Sequence, residues 1–222
     1  MYEAALDLSG NEAVFVVRRN KAELLIDAVK PMRGRTASSL AQWVLDSLKE
    51  HNLPLEQIRC WSIGSGPGSF TGLRLAAAFV TGLTAGKPEI KTRCVPSAFA
   101  LAYGDHFSEG DTVVALFDGR NQEIIVYVME WCNHEFKHNG ETAILNREDA
   151  VTYFKSHAFA GFFAIATEKT AIEKIIHPEL TEKIIYRSCL NLEALLNADC
   201  IPWDNDLTNL VYIRPAVHSH PQ

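Results

Sequence analysis

The sequence predicts an α/β protein built from two similar halves, each around a mixed sheet. Three observations predict it. The chain opens on three apolar strands followed by two strand and helix alternations. A hairpin at its start is echoed half a chain later. And 222 residues with 47% apolar content can fill a proper core.

The first strand is Glu3 to Leu8. Val14 to Val17 and Leu24 to Val29, rich in branched residues and separated by the polar stretch Arg18 to Glu23, follow as antiparallel partners. Leu40, Trp43, Val44, Ser47 and Leu48 recur at a period near 3.6, so a helix spans Thr36 to His51 and stops before Asn52 and Pro54. Then come a strand Arg59 to Ile63, a glycine-rich loop, a helix Thr71 to Ala85 and a strand Thr92 to Val95. In the second half Leu116-Phe117-Asp118-Gly119-Arg120-Asn121-Gln122-Glu123 repeats the pattern of Leu6-Asp7-Leu8-Ser9-Gly10-Asn11-Glu12: an apolar strand ending in Asp, a tight polar turn, then a second apolar strand. A duplicated architecture follows. Asn146 is placed to cap a helix Arg147 to Lys155, Gly161 to Ala166 reads as a buried strand, and Asn191 to cap a helix Leu192 to Ala198. The polar stretch Gly104 to Gly110 divides the chain into an N-terminal domain 1–105 and a degenerate C-terminal domain 106–222. This element order is that of the ribonuclease-H-like half-domain of actin-like ATPases and sugar kinases, an analogy of fold rather than of function.

Composition narrows the function classes. The net charge of −6 argues against a protein that grips nucleic acid alone. The basic clusters Arg18-Arg19-Asn20-Lys21 and Lys30 to Arg35 read as a solvated turn and a solvated helix approach. Five scattered cysteines form no C-x-x-C pair, which fits a reducing cytoplasm. No apolar run approaches the roughly 18 to 20 residues that span a bilayer, and the N-terminus lacks the pattern of a signal peptide.

The most informative stretch is Gly64-Ser65-Gly66-Pro67-Gly68-Ser69-Phe70-Thr71-Gly72, between a strand and a helix start. Free backbone N–H groups and the helix dipole there favour an anion or acceptor, glycines allow close approach, and Ser69 or Thr71 can cap the helix. No lysine stands in Walker register, and Ser69 occupies the third glycine position of the dinucleotide fingerprint. Two readings stay open: an anion-binding loop, or a turn that lets the following helix pack closely. His134-Glu135-Phe136-Lys137-His138 satisfies H-E-x-x-H, but that motif needs a helix to bring both imidazoles to one metal. Here it follows a strand and runs into Asn139-Gly140; in an extended segment the two histidines stand about 13 Å apart. No metal site is expected. His218 and His220 read as part of a frayed tail.

The run Gly64 to Arg74 resembles the signature loop of the TsaB (YeaZ) family, whose members take part in threonylcarbamoylation of tRNA adenosine 37. Leu6-Asp7-x-Ser9 resembles that family's first strand, Asp118-x-Arg120-x-x-Glu123 its second-domain element, and Val211-Tyr212-Ile213-Arg214 its C-terminal motif. Asp7-Leu8-Ser9 stands where the family often has Asp-Thr-Ser, and Arg33-Gly34-Arg35-Thr36 lacks a histidine frequent there. The resemblance implies a non-catalytic subunit that docks a TsaD-type catalytic partner through its first two helices, with Leu40, Trp43 and Ser47 on one and Leu75, Ala78, Gly82 and Ala85 on the other. It further implies a TsaE-type ATPase in the assembly, indirect contact with tRNA, and a homodimer in isolation. No cofactor of its own is expected, a nucleotide at the partner interface remaining open. The residues offer their own argument for docking: the helix after the loop is apolar on nearly every side, and Leu75, Ala78, Gly82 and Ala85 form a mostly small-sided ridge. Packing within its own domain is the competing reading. Asp7, Ser9, Gly64, Gly66, Gly68, Ser69, Thr71, Asp118 and Arg120 are the candidate ligand-binding residues. The rival function is an actin-like enzyme using Asp7 and Asp118 with Mg-ATP, against which stands the absence of a second glycine-rich turn after position 140, Gly161 being the only glycine there.

Overall fold

A computed structural model of the chain describes residues 1–32 and 34–211. Strands β1 (Tyr2–Asp7), β2 (Glu12–Arg19), β3 (Glu23–Pro31), β4 (Ile58–Gly64) and β5 (Lys91–Val95) form one sheet in the order β3-β2-β1-β4-β5. Strands β6 (Thr112–Arg120), β7 (Glu123–Cys132), β8 (Glu135–Leu145), β9 (Gly161–Ile165) and β10 (Ile184–Arg187) form a second in the order β8-β7-β6-β9-β10. The two orders are the same. In each sheet the first strand runs antiparallel to the second and parallel to the fourth. The fold is therefore two mixed ribonuclease-H-like sheets, and Asp7 and Asp118 occupy equivalent places at the ends of β1 and β6.

Both faces of each sheet are covered, so the central strands are apolar on alternate residues in both directions. Ala4, Leu6, Phe15 and Val17 pack under α1 (Leu40–Glu50) and α2 (Phe70–Thr84). The opposite residues Ala5, Val14 and Val16 join Val113, Ala115, Phe117, Tyr127 and Met129 of the second sheet around two short helices, α3 (Phe99–Ala102) and α7 (Glu193–Leu196). Val114, Leu116, Val126 and Val128 pack outward under α4 (Arg147–Ser156) and α5 (Lys169–Glu173); α6 (Pro178–Thr181) leads into β10. Phe15 stacks on Trp61 at 6.0 Å and meets Trp43 edge-on at 6.3 Å, contacts worth about 0.5–1.5 kcal/mol each beyond their burial.

The helix expected over Thr36 to His51 begins as a 3-10 turn, Gly34–Ser39, in which Ser39 Oγ donates to the Thr36 carbonyl at 2.7 Å; such local bonding competes with a regular helical start. Asn146 caps α4, its side chain accepting from the N–H groups of Glu148 and Asp149, both at 2.9 Å. The H-E-x-x-H segment lies in a hairpin: Asn133 and His134 make the left-handed turn between β7 and β8, and His138 sits on β8 stacked against Tyr127 at 4.3 Å.

Of the basic cluster Arg18 to Lys21, Arg19, Asn20 and Lys21 are solvated as expected, but Arg18 is not. Arg18 is buried; its Nε donates to Glu3 at 2.6 Å, and its other nitrogens reach the Asn197 side chain and the Leu196 carbonyl. Arg93, 1% exposed, donates to Ser62 Oγ at 3.0 Å and to the carbonyls of Leu195, Leu196, Ala198 and Ile201 at 2.5–3.0 Å. The guanidinium lies 4.0 Å from the Trp203 ring centre. Helix α7 leaves its last carbonyls without intrahelical partners, and two arginines from the first sheet satisfy them. The chain then pairs Asn205 with Thr92 and ends its described course at Val211, whose N–H donates to the Ser65 carbonyl at 2.8 Å. Tyr212-Ile213-Arg214, His218 and His220 lie outside the described residues, as does Arg33. No helix among the described residues is long and apolar enough to cross a membrane.

Candidate functional site

Asp7 is sealed. It has no exposed surface; its Oδ1 accepts from the Ser9 N–H and Ser9 Oγ, both at 2.6 Å, and Oδ2 meets Ser97 Oγ in a short hydrogen bond. Ser97 in turn bonds the loop twice, its Oγ accepting from the Gly66 N–H at 3.0 Å and its N–H donating to the Gly66 carbonyl at 2.8 Å. The Ser69 N–H donates to the Ser9 carbonyl at 2.6 Å. Asp7 thus joins three segments: the end of β1, the glycine-rich loop, and the turn after β5.

The glycines of that loop make room for the chain itself. A Cβ on Gly64 would stand 1.6 Å from Asp7 Oδ2, on Gly68 2.3 Å from the Ser9 carbonyl oxygen, and on Gly72 1.9 Å from the Leu8 carbonyl oxygen. Gly66, at φ +96°, also needs a backbone that other residues rarely adopt. Of the two readings of the loop, this geometry favours the turn that lets α2 pack closely on β1. Ser69 is the helix cap, its Oγ accepting from the Gly72 N–H at 3.3 Å, and Thr71 lies exposed in the first turn. We expect Gly72→Ala to cost about 1–3 kcal/mol through overpacking against rigid backbone, measurable as a lower midpoint in urea; unchanged stability would mean that α2 can lift away freely.

Burial raises the Asp7 carboxyl pKa above its ordinary value, partly offset by the bonds from Ser9 and Ser97. The folded state therefore holds its proton more tightly than the unfolded chain does. The resulting stabilisation is full below the unfolded carboxylate pKa of about 4 and is lost as pH rises from there through the raised folded value. Asp7→Asn carries no such titration. Unfolding measured across pH should show the wild type losing stability relative to Asp7→Asn as pH rises; parallel curves would contradict a raised pKa.

Asp118 differs although its place in the fold is the same. Its Oδ1 accepts the Arg120 N–H at 2.8 Å, and its own N–H donates to Glu168 Oε2 at 2.8 Å. Burial raises the Glu168 pKa, with the bond from Asp118 opposing. Gly119 is a bulge against Glu123, and Arg120, Asn121 and Gln122 are all left-handed, at φ +59°, +49° and +60°. Instead of a packed loop, an open cleft of about 800 Å³ lies beside Asp118, between the β6–β7 turn, the start of α4 and the end of α5. The structure thus keeps the two candidate aspartates in unlike settings. Ser97 and Glu168, which hold them, carry no motif that the sequence could reveal.

The expected docking residues divide by burial. Leu40 and Ser47 are turned into the core, Ser47 Oγ donating to the Trp43 carbonyl at 2.9 Å, so neither is available to a partner. The 3.6 period that marks them is the period of α1's inner face. Trp43 and Leu75 are half-buried, whereas Ala78, Gly82 and Ala85 are exposed; a Cβ on Gly82 would meet nothing within 4 Å.

These features define a two-lobed protein of the ribonuclease-H-like class in which the first strand-end carboxylate is closed off by its own loop. Residues 35–185 match the family described as TsaD, tRNA N6-adenosine threonylcarbamoyltransferase. The structure is similar to YeaZ from Pseudomonas aeruginosa, at 25% identity over 88% of each chain and a TM-score of 0.66. It is also similar to a second structure described by its likeness to peptidase YeaZ from Pseudomonas aeruginosa, at 23% identity over 88% of each chain and a TM-score of 0.68. No curated protein sequence matches significantly. The chain belongs to the TsaD family and within it is of the YeaZ (TsaB) type.

Proposed function

We propose that the chain is a non-catalytic partner subunit in the threonylcarbamoylation of tRNA adenosine 37, docking and activating a TsaD-type catalytic subunit through the exposed face of α2 and the adjoining surface of α1. The observation that carries this reading is the sealed Asp7. An enzyme that clamps a metal nucleotide between lobes needs both strand-end carboxylates open to phosphate and metal, and here one of them is occupied by Ser9 and Ser97 under a loop packed with the chain's own backbone. The small residues Ala78 and Gly82 on the outer side of α2, with Ala85 just past its end, support a helix-to-helix contact, because they let a second helix approach closely. In this reading the TsaD-type subunit holds the metal and transfers the acyl group, a TsaE-type ATPase joins the assembly, and tRNA is contacted mainly by the partner, in keeping with the acidic balance. In isolation the same face pairs two copies of the chain. The chain needs no cofactor of its own, and it works in the cytoplasm.

The test is the mass in solution of this chain mixed with the TsaD-type protein of the same organism, by size exclusion with light scattering. A stable mixed complex, and tRNA modification that needs both proteins, is the expected result. Two separate peaks with and without nucleotide, together with intrinsic ATP turnover abolished by Asp7→Asn, would establish the rival enzyme instead.

A further inference from the structure

Where the first lobe is filled at the carboxyl ends of its parallel strands, the second is open. The cleft beside Asp118 lies at the carboxyl end of β6, the end of a sheet at which open α/β folds take their ligands. Three cationic side chains line it, Arg120 from the β6–β7 turn, Arg147 from the first turn of α4 and Lys174 just after α5. Among the described residues no ion pair engages any of the three, although the chain as a whole carries a net charge of −6. Cations from three separate elements around one concavity, Arg120 also feeling the buried Glu168 carboxylate, are an arrangement that a phosphate or carboxylate can bridge.

The carboxylates of the lining narrow the class. Asp118, Glu123 and Glu148 stand in the same cleft, which disfavours a polyanion such as a nucleic-acid backbone and provides acceptors for hydroxyl groups. The apolar lining is limited to Ala171 and Ile175, and no aromatic ring is present for a base to stack on. The turn that carries Arg120 keeps three successive non-glycine residues left-handed, a conformation that costs free energy and is found mainly where the surrounding site requires it.

We infer that this cleft is a binding site for a small phosphorylated polyol, with the phosphate held by Arg120, Arg147 and Lys174 and the hydroxyls by Asp118 and Glu148. The site stands apart from the docking face of α2 and does not depend on that proposal. Its volume is within the range of about 300–1,000 Å³ usual for small-molecule pockets.

The test is titration of the full chain, followed by backbone amide shifts, with ribose 5-phosphate, AMP, inorganic phosphate and unphosphorylated ribose. Ribose 5-phosphate should bind with shifts centred on Arg120 to Gln122 and Arg147 to Asp149, while ribose alone should not. Arg147→Ala with Lys174→Ala should weaken binding by about tenfold or more and leave the thermal midpoint unchanged, since both side chains are exposed. AMP binding much more tightly than ribose 5-phosphate would mean that a base is recognised and would overturn the assignment; equal affinities support a sugar phosphate. Absence of any shift at millimolar ligand, or binding undiminished in the double variant, overturns the site. Inorganic phosphate binding as tightly as ribose 5-phosphate overturns the role given to the carboxylates.

Discussion

Arg93→Ala should lower the unfolding free energy by about 3–5 kcal/mol and the thermal midpoint by roughly 10–15 °C for a chain of this size. The side chain is buried and donates five hydrogen bonds, four of them to carbonyls of residues 195–201. Alanine removes every donor while leaving those carbonyls out of water, and each stranded acceptor carries a desolvation cost of about 1–3 kcal/mol before relaxation. Relaxation is available, because the segment can lift from the sheet and let water in, so the observed loss is smaller than the sum. That lifting has its own signature. The peptide bonds around Ala198 to Trp203 should become sensitive to dilute protease at temperatures where the rest of the chain stays folded. Arg93→Lys should recover only part of the loss, as one ammonium cannot follow the planar fork that reaches carbonyls on two sides. Stability within about 1 kcal/mol of wild type in Arg93→Ala would show that hydrophobic burial of Leu195 and Leu196 alone holds the segment.

The same two arginines mark the limit of what the sequence discloses. The succession of elements in the first half, the duplicated hairpins and the capped helix α4 are legible because each rests on local signals: alternation, period, an Asn at a helix start. Arg18 and Lys21 sit in one short polar stretch and look alike there, yet Arg18 is buried against Glu3 and α7 whereas Lys21 reaches Asp199 at 3.7 Å on the surface. Only the return of the chain nearly 180 residues later distinguishes them. Helix α3 escapes for a different reason. All four of its residues are buried, so it shows no polar face and hence no period. Strand β10 and the helices α5 and α6 are too short for a window of 11 or so residues to resolve. At the candidate site, the loop Gly64 to Gly72 announces itself through glycine alone, but whether those glycines admit a ligand or the chain's own backbone is set by Leu8 and Ser9 in three dimensions. Leu40 and Ser47 illustrate the converse. Periodicity finds a helix face without saying whether that face looks inward to the core or outward to a partner.

Ala78→Arg should abolish the complex with the TsaD-type partner while leaving the isolated chain as stable as wild type. Ala78 is exposed near the middle of α2, one turn before Gly82, and the half-buried Leu75 and Phe79 flank it. On a free surface an arginine at such a position changes stability by no more than about 0.5 kcal/mol. Inside a helix-to-helix contact it must either desolvate a guanidinium without a partner or hold the two helices apart, at a cost of about 3 kcal/mol or more, which is over a hundredfold in affinity. Leu40→Arg would be a poor probe of the same surface, since Leu40 lies in the core of the first lobe and its loss of binding would only report unfolding. Light scattering on the mixed proteins gives the answer directly, with the thermal midpoint of the isolated variant as the control. If Ala78→Arg runs at wild-type complex mass, the outer face of α2 is not the docking surface. If the variant is instead monomeric where the wild-type chain is dimeric, and fails to bind the partner as well, one surface serves both assemblies, and the homodimer must open before the catalytic subunit can dock.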